Sequence, residues 1–68
     1  SESCPNKGYF ENKLKAAAEG EGKQQKQAET LYNFWTSYVT KDSSPTEALC
    51  GIMNLIKHQL NDIFVTEE

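Results

Sequence analysis

Cys4, Cys50 and His58 are the groups in this 68-residue chain best suited to nucleophilic or metal chemistry. A thiolate–imidazole pair needs the two side chains within hydrogen-bond reach of each other. Cys50 and His58 stand eight positions apart. On a helix that spacing separates them by two turns and by about 80° around the axis, so they do not form a pair. A structural zinc site asks for four ligands, and the chain offers no CxxC and a lone histidine. Asp42, Glu47 and Asp62 are scattered carboxylates. The first two fall near the start of a predicted helix, where the helix dipole alone favours negative charge. "GEG" at 20–22 lacks the following lysine and the strand–loop–helix setting of a phosphate-binding loop. The expectation is a chain with no catalytic residue, no metal ligand and no cofactor: not an enzyme.

The chemistry left to the two cysteines is a disulfide, and its feasibility depends on the elements that carry them. The clearest lies in "SSPTEALCGIMNLIKHQLNDIFV". Ser44 is placed to cap a helix, Pro45 suits the first helical position, and Glu47 completes a capping-box spacing. Leu49, Ile52, Met53, Ile56, Leu60, Ile63 and Phe64 then recur at three- and four-residue steps, which predicts a helix over 45–65 with one apolar face. Before a short polar connector, Ala28, Leu31, Trp35, Tyr38 and Val39 share a face and predict a helix over 23–40. "YFENKLKAAAE" predicts another over 9–19, with Phe10, Leu14 and Ala17 on a stripe, ended by the two glycines that follow. Residues 1–8 form an extended segment carrying Cys4.

A competing shape arises from positions 10, 14, 17, 21, 24, 28, 31, 35 and 38, which keep an unbroken four-three alternation through the glycines. Read that way, residues 9–40 are one long helix that makes a hairpin with the last one. Cys4 and Cys50 then lie at opposite ends, far beyond the roughly 7 Å that a disulfide allows between Cα atoms. They would be free, or would link two chains as a homodimer. Broken at the glycines, the chain is an all-α, three-helix bundle, and the first and third helices both begin at one end. Cys4 then reaches Cys50 and staples a single domain spanning 1–68. We take the stapled monomeric bundle as the leading expectation and the dimerising hairpin as the alternative.

Composition narrows the class of partner. All seven basic residues are lysine, and the net charge is −3. Without arginine forks or a basic patch the chain is poorly equipped for nucleic acid or for an anionic membrane surface, and no apolar run is long enough for a transmembrane segment. With 37% hydrophobic and 25% charged residues the composition is that of a folded domain. A core this small favours a staple, which points to an oxidising, extracellular compartment; no signal peptide is read in the sequence, and the expectation is a mature form with its leader removed or a cytosolic protein.

Four of the nine residues in "LYNFWTSYV" (31–39) are aromatic. Leu31, Trp35 and Tyr38, with Ile52, Ile56, Leu60 and Ile63 of the last helix, are the expected core. Tyr32 and Phe34 project about 160° apart, so one helix cannot bury both and keep a solvated side. Together with Leu55, which sits on the margin of its helix, they are the candidate partner-binding residues. The expected function is that of a secreted, non-enzymatic helical protein, hormone-, toxin- or effector-like, which binds a protein target such as a receptor, channel or host factor through an exposed helix face. Two alternatives stand beside it: a disulfide-linked dimeric carrier of small hydrophobic ligands, and an intracellular interaction subunit with free thiols.

Overall fold

The computed structural model describes residues 4–39 and 46–64. Its regular elements are α1 (Lys7–Glu19), α2 (Gln25–Tyr38), α3 (Glu47–Gln59) and a single turn, α4 (Asn61–Phe64). The all-helical class is as the apolar periodicity implies.

Helix α1 starts two residues before the expected position because Asn6 caps it: its side-chain oxygen accepts the Tyr9 N–H at 2.9 Å. The helix stops at Gly20, whose backbone leaves the helical region (φ −92°, ψ −158°). A side chain there would bring a Cβ to 3.1 Å from the Ala16 carbonyl oxygen, a close approach that favours glycine. The freed carbonyls at this end find donors. Gly20 N–H reaches Ala17 O at 3.3 Å, and the Gln25 side-chain amide donates to Ala18 O at 2.6 Å. The long helix over 9–40 is therefore overturned. Glu21 and Gln24 add nothing apolar to hold the run together, whereas reversing the chain lays Phe10 and Leu14 of α1 against Trp35 of α2. The Phe10 and Trp35 rings meet edge to face with centroids 4.9 Å apart.

Helix α3 begins at Glu47, not 45. Thr46 is its cap, with the side-chain hydroxyl accepting Leu49 N–H at 3.1 Å. The expected cap Ser44, the expected first helical residue Pro45, and the connector expected over 39–44 apart from Val39 lie outside the described residues. The single helix expected over 45–65 is interrupted at Leu60 (φ −112°, ψ 49°). Neither glycine nor proline marks the place. Leu60 and Phe64 are both buried, and Phe64 stacks on Phe10, centroids 5.5 Å apart.

The core comprises Phe10, Leu14 and Ala18 of α1, Ala28 and Trp35 of α2, and Leu49, Met53, Ile56, Leu60 and Phe64. Trp35, Ile56 and Leu60 occupy it as expected; Leu31, Ile52 and Ile63 pack at its edge, partly buried. Tyr38 is a correction, being 48% exposed. The buried line of α2 runs through Ala28, Trp35 and the partly buried Val39. Tyr38 stands about 100° from Val39, beyond the reach of the helices that cover that line.

Cys4 and Cys50 are joined within the chain, Cα atoms 5.2 Å apart across 46 positions, and no free cysteine remains. This ties the segment before α1 to the first turn of α3.

Gly51 offers a direct check on α3. It is exposed within the helix, and an added Cβ would meet nothing within 4 Å. Gly51→Ala is expected to stabilise the fold by about 0.5–1 kcal/mol through helix propensity, read as a higher midpoint in chemical denaturation.

Candidate partner-binding surface

A small polar clasp joins the start of α2 to the end of α3. The Gln24 and Gln27 side-chain amides donate to the Gln59 carbonyl at 3.4 and 3.5 Å, and Gln27 also donates to the Gln59 side-chain oxygen at 3.3 Å. The start of α2 is thus fastened to the end of α3. From Gln27 the same side of α2 continues through Leu31, Phe34 and Tyr38, at steps of four, three and four. From Gln59 the same side of α3 continues back through Leu55, Ile52 and Ala48, at the same steps. Such steps keep side chains on one stripe of an α-helix.

Two apolar ridges therefore rise from the clasp, one on each helix. Their half-buried members, Leu31 and Ile52, lean on the core. Their outer members stand in solvent: Phe34 is 50% exposed, Tyr38 48% and Leu55 59%. Phe34 and Tyr38 stack on each other, ring centroids 6.2 Å apart at an interplanar angle of 17°, so the aromatic pair presents one surface. The residue stretches that carry the ridges, 30–39 and 48–56, contain no Asp, Glu, Lys, Arg or His. Charge is concentrated on α1 and the turn after it, where Lys7, Glu11, Lys13, Lys15, Glu19, Glu21 and Lys23 follow one another. Aromatic enrichment with depletion of charge is the compositional mark of the centre of a protein–protein interface.

The three residues singled out from the sequence separate. Phe34 and Leu55 lie on this surface. Tyr32, on the opposite flank of α2, is partly buried against the core and is not part of it. Tyr38, expected inside, joins Phe34 instead. The four-residue step between Phe34 and Tyr38, on the side of α2 away from Tyr32, is the signal that pairs them.

Elsewhere the fold provides little that could do chemistry. His58 is exposed, and Cys50 is held in the disulfide. Among the described residues no cluster of His, Cys, Asp or Glu is grouped to hold a metal ion, and no helix is long and apolar enough to cross a membrane. A cleft of about 340 Å³ opens at the α1–α2 turn, floored by Ala16, Ala17 and Ile63 and edged by Glu21, Lys23 and Asp62. Its lining contains no Ser, Thr, Cys or His. Gln24 Oε1, in its wall, is buried without a hydrogen-bond partner, and being shut off from the opening it presents nothing to a ligand.

The chain matches no protein-family model, no curated protein and no solved structure.

Proposed function

We propose that this chain is a secreted, non-enzymatic helical protein that binds a protein target, hormone-, toxin- or effector-like, through the α2–α3 surface. The observation that carries the reading is the half-exposed Phe34–Tyr38 stack on α2, in a stretch without charged residues, on a domain too small to spare apolar surface without reason. Large exposed apolar side chains grouped together, as opposed to scattered singly, mark interaction sites. Aromatic anchors of this kind dominate the energetics of protein–protein contacts.

The staple suits the same role. A disulfide is kept in oxidising compartments, and a scaffold held in one conformation loses less entropy when its partner closes on it. The acidic charge balance and the absence of arginine make a protein target the better fit than nucleic acid.

The test is photo-crosslinking from position 34. A benzophenone-bearing residue replacing Phe34 is expected to capture a cell-surface protein in a saturable manner. Unlabelled native chain should compete, and the Phe34→Ala/Leu55→Ala variant should compete at least tenfold less well. Because both side chains are half or more exposed, that variant should keep its helix content and shift stability by less than about 0.5 kcal/mol. Equal competition by native chain and variant would place the target surface elsewhere on the molecule.

A further inference from the structure

We propose that the Cys4–Cys50 bond is a redox latch: its reduction by a protein dithiol of the CxxC class frees the start of α3, while the end of α3 stays fastened to the bundle. The inference rests on how α3 is held, and not on the target-binding reading.

The two ends of α3 are held differently. At its end, Gln24 and Gln27 donate to Gln59. Leu60 is buried just beyond, Ile63 lines a cleft with Ala16 and Ala17 of α1, and Phe64 stacks on Phe10. At its start, Leu49 and Met53 are buried, and the covalent tie is the disulfide, which runs from Cys50 to the non-helical segment before α1. The α1 and α2 backbones lie close to each other, whereas the α3 backbone comes close to neither over any length. Side chains and the bond therefore hold α3 in place. An element with so little backbone packing opens separately, at a lower free energy than the whole fold. The bond stands at the end of α3 that has fewer other anchors.

The latch is within reach of a reductant, since both cysteines are partly exposed. A thiolate of the dithiol attacks Cys4 Sγ and forms a mixed disulfide. The electron pair of the broken S–S bond leaves on Cys50 Sγ, in the first turn of α3, where the helix favours a thiolate. The second thiol of the reductant then attacks its own partner sulfur in the mixed disulfide and expels the Cys4 thiolate. Both electrons come from the dithiol, which ends as a disulfide, and its two protons balance the two thiols formed on the chain. An oxidising compartment keeps α3 closed. A reducing one lets its start swing out about the clasped end and uncovers Leu49 and Met53, which the closed form buries.

The test has two readouts on the full chain, oxidised and reduced, at low temperature. Thioredoxin, as a dithiol of this class, is added to the oxidised protein without denaturant, and alkylation with intact mass follows the release of two thiols. Amide hydrogen exchange of the ¹⁵N-labelled protein is then compared in the two forms. Reduction is expected to go to completion. Protection over residues 50–54 should fall by about tenfold or more relative to that over 14–18, 28–35 and 56–60. Loss of protection spread evenly over the chain would make the bond a staple of the whole fold and overturn the latch. Unchanged protection at the start of α3, or a bond that thioredoxin opens only in denaturant, would overturn it equally.

Discussion

Replacing both cysteines with serine is expected to lower the free energy of unfolding by about 4 kcal/mol, the chain-entropy value for a loop of this length. The bond closes 46 positions, two thirds of the chain, so its removal greatly enlarges the unfolded ensemble. The core it leaves behind is small. A domain of this length seldom draws more than about 3–5 kcal/mol from packing alone, which makes the staple comparable with everything else that holds the bundle. The loss falls unevenly. Cys4 packs against the core and is held at the first turn of α3. Without the bond the segment before α1 frays first, while the α1–α2 hairpin keeps its Phe10–Trp35 contact. Urea denaturation followed by circular dichroism reads the effect, with the double serine variant largely unfolded at 37 °C. A loss below about 1 kcal/mol would mean that the bond holds little that packing does not.

Trp35→Ala is expected to cost about 3–5 kcal/mol. Trp35 is fully buried between α1 and the rest of the core, with Phe10 against its ring and Phe64 stacked on Phe10 in turn. Its indole N–H donates to a Glu11 carboxylate oxygen at 2.9 Å. Truncation thus opens a cavity and strips a partly buried carboxylate of its donor at once. Trp35→Phe separates the two effects. It keeps an aromatic ring in the site but removes the donor, and should cost about 1–2 kcal/mol from the stranded carboxylate, besides the smaller ring's lost packing. Glu11→Gln retains an acceptor for the indole and should cost less than either. Denaturation followed by circular dichroism gives all three values, since the chain's lone tryptophan is lost in two of the variants. Trp35→Ala costing less than Trp35→Phe would contradict the packing described.

The apolar stepping of each helix made the all-helical architecture legible, because burial of an apolar stripe is what chiefly drives helices together and the stripe is written directly in residue spacing. The two glycines and the disulfide geometry favoured three short helices but left the long one open, because the heptad register runs through the glycines. Local capping was harder to see. Asn6 and Thr46 both cap; Ser44, two residues before Thr46, offers the same kind of side-chain acceptor. The interruption at Leu60 carried no local signal: neither glycine nor proline stands there.

The surface residues were partly legible for a related reason. Spacing showed that Tyr32 and Phe34 could not both be buried, but which one faces out depends on where α1 and α3 lie around α2. That is a long-range fact. It sent Tyr32 inward and left Tyr38, on the apolar stripe by spacing, beside Phe34 in solvent.

The proposed function rests on a single chain closed on itself by Cys4–Cys50, with Phe34, Tyr38 and Leu55 outside. Intact mass of the protein purified without reductant, taken under denaturing conditions with thiol alkylation before and after reduction, decides this. A closed single chain is a monomer that takes up no alkylating reagent, gains two mass units on reduction and then takes up two equivalents. A covalent dimer that splits on reduction, or a monomer alkylated twice without reduction, would contradict it.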